Sequence, residues 1–442
     1  MNVIELGYVD AAPAAPPRPR LDRHRLRRVS AVLVVLLCLG TLTASIKPEP
    51  HGLRLLWSIP YAGEGSFTLA GDAVIAISGN GSRTVTAFAL ADGRQIWSRD
   101  LPETVPYLGE DRASPVLLVP TGELVVPLRD GGSQYVFTGT IALDAATGAV
   151  LWRASGSGSG WAATGTALLE ERTPDGSSID RLRLVRLADG STVWSRDTPQ
   201  VQQWITLGAD PARPDRVAMV SQDGDLSVLR LADGTETAAG PVEWAPGSPK
   251  DGDFLTLTAE GDALYVLRMT RGRSIATAYS DRTLHRLWRA EQPSAGSGAY
   301  PCGAVLCMGG NGELVGYDWV TGAVRWRAPG QEYAMAASRD LLIAGGGPGS
   351  SRQTLLEAAT GRRLADLGSA RPPWTFDGGT LITLGYSSSA PGRTVVSQVD
   401  PDTGQIFLLG TIEAITDWGC RLAGKLLLCH HPKGKLTVTA VG

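Results

Sequence analysis

Along most of the chain the apolar residues come in short runs, each introduced by a turn pair and followed by polar positions. "AGDAVIAIS" (70–78), "TGELVVPL" (121–128), "EGDALYVLRM" (260–269), "SRDLLIAGG" (338–346) and "AGKLLLCHH" (423–431) share this form. A second run follows each of them, such as "RTVTAFAL" (83–90) or "KLTVTAV" (435–441). Runs of this length, rich in β-branched residues and punctuated by turns, predict strands; beyond the first fifty residues no window has the helical period. A third element closes the pattern. In "ALDAATGAVLW" (142–152) a strand ends near an acidic residue, a turn centred on Gly follows, and Trp stands four residues later.

That sentence recurs. The turn position is held by Gly93, Gly148, Gly190, Gly234, Leu284, Gly322, Gly361 and Gly404, at spacings between 38 and 55 residues. Four residues beyond each stand Trp97, Trp152, Trp194, Ala238, Trp288, Trp326, Ala365 and Leu408, and Trp57 in "LRLLWSIP" begins the series. The interval matches one four-stranded blade of a propeller, ~40–50 residues. A blade alone exposes two apolar faces, and radial packing buries both against its neighbours. Trp at the start of the outermost strand is expected to place its ring between blades and its N–H on a carbonyl. Asp92, Asp144, Asp189, Asp233 and Asp318 are expected to shape turns.

The residues matched in "ALDAATGAVLW", namely Ala142, Asp144, Thr147, Gly148 and Trp152, resemble the docking consensus of the PQQ-type (quinoprotein-type) β-propeller repeat, including its BamB-like members. Other copies depart from it: Ser280 and Leu284 replace Asp and Gly, and Ala238, Ala365 and Leu408 replace Trp. The resemblance implies an all-β propeller of four-stranded antiparallel blades over residues 57–442. The strand sets number nine by count, while precedent in the family favours eight; eight is the working expectation. Trp57 starts an outermost strand with no inner strands before it, and the carboxyl-terminal run has no outermost strand after it. Pairing the two is expected to close the ring.

The amino-terminal region is different. Residues 1–29 are Pro-, Ala- and Arg-rich, which predicts a disordered basic tail. "SAVLVVLLCLGTLTASI" (30–46) carries no charge. Its seventeen residues barely reach across ~30 Å of hydrocarbon. Six Arg precede it and Lys47 follows, so the positive-inside bias keeps the tail in the cytoplasm. We expect a single transmembrane helix, a linker over 47–56 and an extracytoplasmic body; a cleaved signal is the alternative, though no clean Ala-x-Ala site follows the apolar run. The formal charge is -3 over 442 residues, and the part after residue 50 is acidic, which argues against nucleic acid as a partner.

Four cysteines remain beyond Cys38. "CGAVLC" and "CRLAGKLLLC" each flank a turn between neighbouring strands, which favours disulfides Cys302–Cys307 and Cys420–Cys429 over crossed pairings. A zinc site at Cys429, His430 and His431 is disfavoured, because adjacent residues of a strand face opposite ways. No catalytic, cofactor-binding or metal-binding residue is nominated. A quinoprotein dehydrogenase would need an oxygen-ligated Ca²⁺ site, and many carry a vicinal Cys-Cys, which does not occur here. The expectation is therefore a monomeric, membrane-tethered scaffold binding an envelope protein or glycan, with no cofactor. A quinone-dependent dehydrogenase and a small-ligand sensor ectodomain stand as alternatives.

Overall fold

The computed structural model describes residues 52–442 apart from 62–65, 79–81, 106–107, 109–113, 128–132, 243–253, 271, 294–297, 347–349, 376–379, 387–390 and 417–418. The expected tail (1–29) and transmembrane segment (30–46) lie outside the described residues. Residues Gly52–Gly442 form one compact unit. The first strand, Arg54–Pro60, starts inside the stretch expected to be linker. Among the described residues every regular element is a strand, and none is a helix long and apolar enough to cross a membrane.

The strands assemble into successive antiparallel sets. In the first set, Phe67–Ala70, Ala73–Ile77, Thr84–Ala89 and Gln95–Asp100 follow one another from the inner to the outer edge. The second set shows three strands, Val116–Pro127, Ser133–Asp144 and Val150–Ser155. The third (157–199) and fourth (200–241) sets are fused into a single seven-stranded sheet. Their shared strand, Thr192–Leu207, serves as the outer strand of one and runs on as the inner strand of the other. Gln200, at φ +68°, makes the bend between these two roles. The fifth, sixth and seventh sets (254–293, 299–329, 333–368) each have four strands. In the eighth, Leu381–Tyr386, Arg393–Val399 and Ile406–Glu413 pair. The ninth joins Cys420–Ala423, Leu426–His431 and Lys435–Ala440 to Arg54–Pro60. Counting the fused sheet as two sets gives nine in place of the favoured eight.

Burial on both faces explains the unbroken apolar runs, since neighbours along a strand serve opposite cores. Leu168 packs with the fourth set, through Val217 and Met219, while Leu169 packs with the second, through Trp152. Leu427 and Leu428 divide in the same way between the eighth set and the first. Nine such clusters join each set to the next, and one of them joins the ninth to the first through Trp57, Leu428, Leu436, Phe67 and Leu69. The first described strand and the last are hydrogen-bonded partners over Arg54↔Ala440 to Pro60↔Lys435.

Candidate functional site: a broken set and its cleft

The regular junctions supply the baseline. At six of them a Trp ring is buried against the turn Gly of the following set: Trp57 on Gly93, Trp97 on Gly148, Trp152 on Gly190, Trp194 on Gly234, Trp288 on Gly322 and Trp326 on Gly361. Each indole N–H donates to the carbonyl three residues before that turn position, at Leu90, Ala145, Leu187, Leu231, Trp319 and Ala358 respectively, over 2.6–3.0 Å. The site carries two restraints. At Gly148 φ is +68°, and a Cβ there would stand 2.5 Å from Trp97 Cε3, so only Gly fits. The acidic turn residues act on the backbone as expected. Asp144 Oδ1 accepts the N–H groups of Ala146 and Thr147, and Asp318 Oδ1 those of Val320 and Thr321.

Three junctions lack Trp, and each is completed differently. Between the fourth and fifth sets Ala238 stands where Trp would be, and Leu284 replaces the turn Gly at φ +54°. Arg216 takes over the donor role. Its guanidinium donates to Asp281 O at 3.2 Å, the carbonyl an indole would have used, and to Asp281 Oδ2 at 2.7 Å. The Asp281 side chain is almost wholly buried (3% exposed). Between the seventh and eighth sets Ala365 leaves the backbone itself to close in, and a Cβ on Gly404 would stand 2.7 Å from Leu364 O. Between the eighth and ninth there is no turn to dock on, because the third and fourth strands of the ninth set come from opposite ends of the unit. Leu409, one residue past the Trp position, is buried in the cluster shared with the ninth set, while Leu408 is 61% exposed.

Both cysteine pairs are bridged, Cys302 to Cys307 and Cys420 to Cys429. His431 is occupied structurally, its Nδ1 facing Ala414 O at 2.9 Å and its Nε2 facing Thr437 Oγ1 at 2.8 Å. His430 meets Tyr61 edge-on at 5.2 Å. Burial pushes the Tyr61 phenol well above its ordinary range despite the nearby Arg421, and its O–H donates to Ile77 O at 2.6 Å.

The repeat also breaks where the eighth set meets the ninth. Arg371 exchanges both backbone hydrogen bonds with Leu384, at 2.8 and 2.7 Å, as an inner strand of the eighth set should. Pro372 and Pro373 follow, with no N–H to continue that ladder. Trp374–Thr375 then pairs in parallel with the inner strand of the ninth set, Trp374↔Arg421 and Thr375↔Leu422. The departure leaves a small cleft of about 50 Å³, open to solvent and lined by Pro372, Pro373, Leu384, Tyr386, Ile415, Thr416 and Cys420. Thr416 is tied to His430 by its N–H, which donates to His430 O at 3.2 Å. Tyr386 is 74% exposed, and Arg371 is the charged residue among the described lining. The described lining is mostly apolar, and the Leu381–Tyr386 strand edge lies beside it.

Residues 81–253 match the family described as outer membrane protein assembly factor BamB. That span is similar to a BamB-like, PQQ-type propeller repeat. The resemblance carried by "ALDAATGAVLW" therefore holds for the part of the propeller that includes the second, third and fourth sets. Among curated proteins none matches the chain. Among solved structures the chain is similar to BamB from Moraxella catarrhalis, at 15% identity over 88% of this chain and 97% of that one, with a TM-score of 0.45. It is also similar to a eukaryotic initiation factor, at 10% identity over 79% and 89% of the two chains and a TM-score of 0.52, a likeness of fold alone. The Pro372–Pro373 break lies outside the matched repeat, and "RPPW" (371–374) was its signal in the sequence. Arg216 had no such local signal.

Proposed function

We propose that the protein is a non-catalytic binding scaffold of the cell envelope, built as one closed nine-bladed propeller and held outside the cytoplasm by Ser30–Ile46 as a membrane anchor. Its partner is a protein that lays an extended segment into the cleft between the eighth and ninth sets. The observation that carries this reading is the Pro372–Pro373 break, which takes an inner strand out of its own set and leaves the Leu381–Tyr386 edge with one bridge among the described residues. Strand addition uses such an edge, and flanking pockets then choose side chains. The description of the matching family as an assembly factor accords with a protein-binding role. Closure is supported by the Arg54–Pro60 pairing and by the cluster that joins the ninth set to the first.

A photo-crosslinking residue at Tyr386, compared with one at the exposed Val320 in the sixth set, tests the site in native envelopes. One discrete protein adduct at 386 and none at 320 is the expected outcome. Identical adduct patterns at the two positions, or none at 386, would remove the cleft from consideration.

A further inference from the structure

An apolar surface lies uncovered where the described chain begins. Leu55 is 60% exposed, Ile406 46%, Phe407 48% and Leu408 61%. The last three are consecutive on the outer strand of the eighth set, and Leu55 lies on the outer strand of the ninth. Leu53 links the two strands, since its Cδ1 would stand 3.3 Å from a Cβ on Gly410, two residues beyond Leu408. Other outer strands expose an aliphatic residue or two beside a buried Trp, as with Ile96 and Leu287. Here the residue at the Trp position is uncovered, and its neighbour Leu409 is the one buried in the cluster shared with the ninth set.

The position of this surface relative to the rest of the sequence identifies what covers it. Six residues, Lys47 to Gly52, separate Leu53 from the uncharged run Ser30–Ile46. At full extension they span at most about 20 Å. If Ser30–Ile46 sits in a bilayer, Leu53 and the patch beside it cannot move farther than that from the lipid surface. We infer that Leu55, Ile406, Phe407 and Leu408, exposed on the two sides of these outer strands, form a membrane-resting rim, seated at the boundary between headgroups and acyl chains. This inference rests on the tether reading given above and adds an orientation to it. The exposed charges around the rim are mixed, with Arg54 and Lys425 against Asp402, so apolar burial holds the contact and anionic lipid is not required.

The test uses the full chain with Cys38→Ser, reconstituted into phosphatidylcholine vesicles. A spin label is placed at Leu408→Cys in one preparation and at Leu287→Cys, on the outer strand of the fifth set, in another. Flotation after a high-salt wash reports the tether. Label accessibility to oxygen, which concentrates in lipid, and to a water-soluble nickel complex reports the rim. The expected result is flotation of both preparations, with an oxygen-to-nickel ratio several-fold higher at 408 than at 287 and unchanged by salt. Flotation with equal ratios would overturn the membrane-resting rim and leave the tether standing. A label at 408 shielded from both reagents would also overturn it, because residues 1–51 or a second copy would then be the cover. Loss of flotation would overturn the tether, and the orientation with it.

Discussion

A Trp indole offers a large apolar plate and a single N–H, and each regular junction of this protein uses both. Trp152 is buried against Gly190 while its N–H reaches Leu187 O at 2.7 Å. Trp152→Ala should cost about 3–5 kcal/mol, measured as a loss in urea midpoint, because it combines a cavity with an orphaned carbonyl. Gly148→Ala should cost at least ~1–2 kcal/mol from its left-handed backbone alone, and more once the added methyl meets Trp97. Turn carboxylates act at the same scale. Burial alone would raise the Asp318 pKa, but the N–H and O–H of Thr321 and the Arg325 guanidinium outweigh it and hold the group below the usual carboxylate range. A lowered folded pKa contributes stability above the unfolded value and loses it as pH falls through the folded one. Thermal midpoints should therefore fall less steeply below pH ~4 in Asp318→Asn than in the parent.

Pairs of strands meet across junctions, and the fourth–fifth junction shows how a missing element is replaced. Ala238 and Leu284 change together, a small residue where the ring would be and a larger one where Gly would be. Ala238→Trp alone should destabilise, since the ring would meet Leu284. Adding Leu284→Gly should recover most of that loss, and a double-mutant cycle on denaturation midpoints measures the coupling. Arg216→Ala should cost about 3–5 kcal/mol by leaving the buried Asp281 carboxylate without its cation. Much of this level was legible in the sequence. The Gly-to-Trp interval located the docking elements because the contact is local in spacing, even though its partner lies one set away. The Arg216 substitution was not legible, because the donor arrives from a different strand of the set than the one carrying Ala238. The cleft was half legible: Pro372 and Pro373 announce a broken ladder, but where Trp374–Thr375 goes next depends on the ninth set.

For the molecule as a whole, the sets are joined by apolar seams that recur nine times among the described residues, which agrees with the count of strand sets in the sequence and not with the eight that family precedent favoured. No turn separates the third set from the fourth, so punctuation disappears where a blade boundary falls. The ninth set is the one whose strands are contributed by distant parts of the chain, and Cys420–Cys429 braces two of them. Replacing both cysteines with Ala should lower the unfolding free energy by about 2–3 kcal/mol, the low end for so short a loop, and the Cys302–Cys307 pair should give less.

Pairing Arg54–Pro60 with Lys435–Ala440 also sets a schedule for biosynthesis. At ~5–20 residues per second, a ribosome needs roughly 20–80 seconds to travel from the first of these strands to the second. Throughout that interval Leu55, Leu56 and Trp57 have emerged with nothing to pair with. A nascent copy in this condition is a natural client for chaperones. On crowded polysomes it is also open to capture by the late strand of a neighbouring copy, which would yield interlocked dimers in place of monomers.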